Sequence, residues 1–340
     1  MSRLTKPGPY VCRVHKARLV GAGAPLPGRR FEPYDPASGS VPLRLSVTAI
    51  PPHFAGPSRP DFAVAIRPGE HACCRFSQAE DRARLATAFV RAGLDRGHKV
   101  VYLSGEDDPG PFLADLADVD DRVNEALDRA QLEVRPAPND YIPDGRFDAA
   151  KMRDGLREQH ARALADGYPG LSMAADMSWA LESKPSREEL VSYERGVTTM
   201  VQPDRTMVFL CIYDHGRFGA GTLADLVAPH GVDVSPELAR LVRVGYLAAS
   251  RVLPGPVLRL CGELDFECAD AVAGVLDAHY HGTLRLDLAE LSYVDLDGLR
   301  ALRGQKDQQL TITAASQPVK RLLELLGWDT DPRIEIAEAA

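Results

Sequence analysis

No apolar run in this chain approaches the roughly 20 residues that span a bilayer, and the N-terminus has no apolar signal-peptide stretch. The expectation is a cytoplasmic protein without membrane contacts. None of the six cysteines forms a CxxC pair, and with no export signal they read as reduced thiols. Basic residues are not in excess: 40 Lys and Arg against 48 Asp and Glu leave a formal charge of -8. That argues against a nucleic-acid-binding surface, because duplex affinity rests largely on Lys and Arg. No Ser/His/Asp or Cys/His spacing specifies a catalytic triad, and no cofactor is expected.

The most informative absence is local. Residues 69–110 read as strand, short loop, amphipathic helix and strand. His71 to Phe76 is compact and apolar; Ser77 with Glu80 three residues on predicts a capping box. Leu85, Phe89, Ala92 and Gly93 then share one helical face, Gly97 stops the helix, and Val100 to Leu103 is a second buried strand. So short a unit favours a right-handed crossover in a parallel sheet. In a phosphate-binding fold of this kind the turn after the first strand reads GxxxxGK[ST]. Here it reads Arg75-Phe76-Ser77-Gln78-Ala79-Glu80-Asp81, with no glycine, no lysine and two carboxylates in the first helical turn. Those carboxylates complement the helix dipole and repel phosphate. The scaffold looks like a nucleotide-binding one with its nucleotide chemistry removed.

What is present is ordinary for a globular protein, 45% hydrophobic and 26% charged, and long enough for two domains. Residues 1–60 are rich in Pro, Gly, Ser and Arg and read as a flexible segment, apart from an alternating patch from Val41 to Ile50. Helix–strand alternation then runs to about residue 235. A turn at Tyr141 to Asp148 precedes a helix with Met152, Leu156, His160 and Leu164 inward. A buried strand ends at Asp176, Ser186 and Glu189 predict a capping box, and Met207 to Tyr213 is apolar nearly throughout, as in a central parallel strand. A smaller set of alternating strands and helices follows from Val257 to Gly327.

The ordered pieces HACCRF, AGLDRGHKVVYLS, YIPDGRFD, DMSWALE and LCIYD, within residues 61–235, resemble the MEDS family. These are sensory domains of the DcmR type, related to the RecA/KaiC-like fold without a working P-loop. The resemblance implies an α/β parallel-sheet sensor for a small-molecule ligand or signal. LRLCGELD, LRLDLAELSYVDLDGL and QPVKRLLELLGW, within residues 245–338, resemble a STAS domain, the fold of bacterial anti-sigma-factor antagonists. In that family an Asp-Ser-Ser/Thr-Gly turn caps a helix, and a partner kinase phosphorylates the serine. Asp295 matches the aspartate, but Leu296 stands at the acceptor and has no hydroxyl; Asp297 and Gly298 follow. The resemblance implies an anti-sigma factor or related regulatory protein as partner, bound around Asp295, Leu296, Asp297, Gly298, Leu299 and Leu302.

Ligands of open α/β sheets bind beyond the carboxyl ends of the strands. Arg75, Phe76, Glu106, Asp176, Trp179 and Tyr213 follow or end strands and are expected to surround one cavity. His71, Cys73, Cys74, Cys211 and His215 offer nitrogen and sulfur ligands suited to zinc. Most lie in or at the ends of apolar strands, where cysteine is a common core residue, so packing and not metal is expected. The sequence therefore predicts a non-catalytic regulator, a RecA-like sensor joined to a STAS output module. The alternative is a nucleotide-binding switch or cryptic ATPase.

Overall fold

The structure, a computed structural model, describes residues 66–244, 247–255, 257–279, 282–303 and 308–337. The segment 1–60, with its patch Val41–Ile50, lies outside the described residues. In chain order run β1 (His71–Phe76), α1 (Ala79–Asp95), β2 (Lys99–Ser104), α2 (Gly110–Val119), α3 (Arg122–Asp128), β3 (Leu132–Pro136), α4 (Ala137–Tyr141) and α5 (Ala149–Ala165). Next come β4 (Leu171–Asp176), α6 (Trp179–Ser183), α7 (Arg187–Val201), β5 (Met207–Asp214), α8 (Ala220–Val227), β6 (Val232–Val234), α9 (Pro236–Val244) and β7 (Leu247–Val252). The remainder is β8 (Val257–Leu264), α10 (Phe266–His279), β9 (Leu284–Val294), α11 (Leu296–Leu302), β10 (Leu310–Ala315), α12 (Gln317–Leu325) and β11 (Ile334–Ile336).

These strands form one sheet in the order β11-β10-β9-β8-β7-β6-β1-β5-β4-β2-β3. β5 lies between β1 and β4, parallel to both. This separates the strand that would carry a phosphate loop from the strand ending in Asp176, the RecA-like arrangement expected from sequence. β7 alone is reversed, antiparallel to β6 on one side and β8 on the other. The link after Val252 is too short for a crossover and admits only an antiparallel return. The strands of the two halves, β1–β6 and β8–β11, are thus hydrogen-bonded through β7 into a single surface.

The period-2 pattern of the strands sorts their side chains onto two cores. On one face Phe76, Tyr102, Ala174 and Leu210 pack against Leu85 and Phe89 of α1, and this core continues to Leu258, Leu286, Leu299 and Leu323 without a break. On the other face Cys73, Met173, Phe209 and Tyr213 pack against Leu156, Tyr193 and Val197. The inner strands β1, β5 and β4 are covered on both sides, which explains their nearly continuous apolar sequence. Charges close the seam between the halves. Arg67 meets Asp287 at 2.9 Å, and Arg259 of β8 pairs with both Glu70 and Asp287.

Three local expectations need correction or extension. The Ser77–Glu80 capping box does not form: α1 starts at Ala79 with Gln78 at its N-cap and no side-chain cap bond. The Ser186–Glu189 box forms both reciprocal bonds. In α5 the buried stripe is Met152, Leu156 and Ala163, eleven residues or three turns from first to last; Leu164 falls one step around the helix and is exposed. The regular elements also continue past residue 235, through α9 and β7.

Candidate functional site

Sheet polarity decides which of the six strand-end residues can meet. Arg75 points to the same side as Cys73 and grips the buried Asp233 of β6, with Nη2 to Oδ2 at 2.8 Å. Phe76 turns to the other face and is core. Asp176 is fully buried; its Oδ1 accepts the Ser178 N–H at 2.8 Å, and its Oδ2 lies 3.3 Å from Arg82 Nη1. Arg82 also binds Glu106. An arginine thus lies against Asp176 at the strand ends, and Gly105 lets the backbone approach Asp176, since a Cβ there would lie 2.5 Å from Oδ2.

Trp179 and Tyr213 belong to the opposite face. Trp179 stacks on Tyr141 with ring centroids 4.4 Å apart and also touches Phe147. The six residues therefore do not surround one cavity, because alternate strand positions face opposite sides of the sheet. A cavity of about 1050 Å³ lies elsewhere, lined by Tyr141, Arg146, Phe147, Lys151 and Met152 among others. None of the six lines it; Trp179 only packs behind two of its lining residues, Tyr141 and Phe147.

A more concentrated set of chemical groups is buried beneath β1 and β5. His71 opens β1, Cys211 lies within β5, Glu194 is on α7, and His230 stands just before β6. One ligand-capable atom from each lies within 4.8 Å of the others, and all four residues are buried. His71 Nε2 is 3.3 Å from Cys211 Sγ and 3.4 Å from Glu194 Oε2. His230 Nε2 and Cys211 Sγ are each 3.4 Å from that same oxygen.

The outer atoms fix the tautomers. His230 Nδ1 lies 2.8 Å from the Leu226 carbonyl, which only accepts, so Nδ1 carries the proton. Thr198 Oγ1 donates to the Pro229 carbonyl at 2.7 Å and so accepts from His71 Nδ1 at 2.8 Å. Both Nε2 lone pairs therefore face inward. Tyr213 donates its hydroxyl to Glu194 Oε1 at 2.5 Å. Burial pushes the Glu194 carboxyl up to about 7 and the His230 imidazole down to about 4, and it drives His71 well below the ordinary histidine range.

Of the five residues nominated as ligands from sequence, the structure thus brings together His71 and Cys211. Cys73 pairs in register with Cys211 but stays outside the set, Cys74 points to the other face, and His215 is exposed. Glu194 and His230 were missed. A signal for Glu194 exists: it falls at i+4 from Leu190 and three before Val197, a carboxylate in the middle of an apolar helical stripe.

In the C-terminal half Asp295 caps α11 as the resemblance implied. Its Oδ1 accepts the Gly298 N–H at 2.7 Å and its Oδ2 accepts the Phe266 N–H at 3.0 Å. Leu296 is 51% exposed, whereas Leu299 and Leu302 are 2% and 0% exposed. Leu299, Leu302 and the buried Gly298 therefore cannot form a partner surface, since they face the core from the inner side of α11. The Asp297 carboxylate is paired with Arg300 at 2.6 Å. Among the described residues of this half the exposed large apolar side chains are Phe266, Tyr293, Leu296, Leu325 and Leu326, and a groove of about 410 Å³ runs between Tyr293, Leu322 and Leu325.

Comparison with known proteins divides the chain at β7. Residues 70–231 match the MEDS family, the methanogen/methylotroph DcmR sensory domain. Residues 247–336 match the STAS_2 family, described as Mlab, STAS domain. The chain is similar to the transcriptional repressor DcmR of Methylorubrum extorquens, with 25% identity over 161 residues, 47% of this chain and 58% of the repressor. It thus spans less than two thirds of that relative. Among solved structures it is similar to the flagellar accessory protein FlaH from Methanocaldococcus jannaschii (13% identity, TM-score 0.38, 58% of this chain and 85% of that one). It is also similar to a KaiC-like protein from Pyrococcus horikoshii OT3 (10% identity, TM-score 0.34, 57% and 78%). At those scores the fold assignment rests on the strand order. No helix among the described residues is long and apolar enough to cross a membrane.

Proposed function

We propose that this chain, a MEDS sensory domain followed by a STAS domain, is a non-catalytic regulator that senses a small ligand and reports it by protein–protein contact. The observation that carries the reading is the shared sheet. β6, β7 and β8 are hydrogen-bonded in succession, so a change in the sensor reaches the output face without a linker. The ligand enters the cavity over Tyr141, Phe147 and Met152, whose volume suits a small organic molecule. The partner, an anti-sigma factor or a related regulatory protein, docks on the exposed apolar groups flanking Asp295, namely Phe266 and Leu296, with Tyr293 and Leu325 beside them.

Contact is switched by the sensor and not by phosphate, because Leu296 has no hydroxyl to modify. The nucleotide-switch alternative is disfavoured by the turn after β1, which has neither the glycines nor the lysine that hold phosphates, and by Arg82, which pairs with Asp176 and Glu106 at the strand ends. Affinity capture from a native lysate, run in parallel on the wild type and on Leu296→Asp, tests the proposal. A sigma-pathway regulatory protein retained by the wild type and lost from the variant supports it. Identical capture by both chains removes the docking surface.

A further inference from the structure

We propose that His71, Glu194, Cys211 and His230 form a tetrahedral zinc(II) site in the core of the sensor. This goes beyond the signalling role and does not depend on it. The four residues come from four separate places in the chain, yet one nitrogen, oxygen or sulfur atom from each turns toward a common point. Zinc held at about 2.0–2.3 Å by such atoms sets neighbouring ligands of a tetrahedron about 3.3–3.7 Å apart. Four of the six separations here are 3.3, 3.4, 3.4 and 3.4 Å, and the other two, from His230 Nε2 to His71 Nε2 and to Cys211 Sγ, are within 4.8 Å.

A hydrogen-bonded core cluster accounts for the arrangement less well. The His71 Nε2 lone pair and Glu194 Oε2 both approach the single thiol proton of Cys211, and His230 Nε2 has no hydrogen-bond partner although it is fully buried. A cation at the centre satisfies all four atoms at once. The outer contacts have the form that metal ligands require: His71 Nδ1 is held by Thr198, His230 Nδ1 by the Leu226 carbonyl and Glu194 Oε1 by Tyr213. Charge also balances. Coordination releases the Cys211 thiol proton and any proton on Glu194 to solvent, and one thiolate plus one carboxylate neutralise the ion inside an apolar core. Two imidazoles, a thiolate and a carboxylate suit zinc(II) better than the hard cations, which prefer oxygen ligands.

The test uses the full chain, stripped with a chelator, reloaded with zinc(II) or cobalt(II) and dialysed. The wild type should retain one equivalent of zinc. Its cobalt form should show the intense visible bands of a tetrahedral ion and a thiolate charge-transfer band. Cys211→Ser should lose the charge-transfer band, and His230→Gln should lose most of the retained metal. His215→Ala, at an exposed histidine, should behave as wild type. Circular dichroism of each variant checks folding. No retained metal in the wild type overturns the proposal whatever the variants do. So does retention that is unchanged in folded Cys211→Ser and His230→Gln.

Discussion

Arg259 clasps Glu70 with two parallel bonds, Nη1 to Oε2 at 2.9 Å and Nη2 to Oε1 at 2.8 Å, joining β8 to the residue before β1. The Arg259 side chain is 3% exposed and Glu70 is 19% exposed. Removing one partner of such a pair strands a charge in a poorly solvated site, so Glu70→Ala should cost toward the low end of about 3–5 kcal/mol, with Asp287 compensating in part. Chemical denaturation should show both halves unfolding in one transition, in the wild type and in the variant. Two separated transitions would mean that the common core does not couple them.

Gly298 offers a sharper test of packing at the STAS turn. A Cβ at this position would lie 2.4 Å from the Leu264 carbonyl oxygen, a backbone atom that cannot swing aside. Gly298→Ala should destabilise the chain by about 1–3 kcal/mol or more. Gly274 in α10 is the control: nothing lies within 4 Å of its virtual Cβ. Gly274→Ala should gain up to about 1 kcal/mol from helix propensity. Denaturation midpoints that move together would refute the steric account.

Leu296→Ser restores the hydroxyl missing from the Asp295–Gly298 turn. The side chain is half exposed, so stability should change by no more than about 0.5 kcal/mol. Incubation with an anti-sigma kinase and labelled ATP should mark the variant and leave the wild type unmarked. Label on the wild-type STAS half that abolishes partner binding would contradict a phosphate-independent contact.

Calorimetric titration with MgATP should give no saturable heat for the wild type or for Arg82→Ala. Removing the arginine opens the crevice beside Asp176 but supplies neither the glycines nor the lysine that hold phosphates. Tight, magnesium-dependent binding would reverse the reading in favour of a nucleotide switch.

The sensor strands were legible because burial on both faces writes long apolar runs into the sequence, and β1 starts and stops where HACCRF does. The capping box at Ser77 looked as good on paper as the one at Ser186, but a box needs the helix to begin directly after the cap, and α1 begins two residues on. β6 and β7 escaped notice because three residues carry no periodicity and Leu247–Val252 is built mostly of small side chains. The strand-end pocket failed for a simple reason. Proximity along a strand end says nothing about which face a side chain takes, and neighbours such as Arg75 and Phe76 take opposite ones. His230 sits in a connection with no pattern at all; only the fold carries it to His71, with ring centroids 4.1 Å apart.

The reversed strand β7 sits inside an otherwise parallel sheet, and β9, which leads into the Asp295 turn, lies four strands from β1. Strands about 4.8 Å apart put that turn roughly 19 Å across the sheet, and a twist of about 20–25° per strand rotates β9 by close to a right angle relative to β1. Such a sheet has no hinge, so the motion available to it is torsion. A few degrees of added twist where β6 meets β7 would swing the α11 end of β9 bodily, as the far end of a wound bar turns with its middle, while every hydrogen bond between strands stays made.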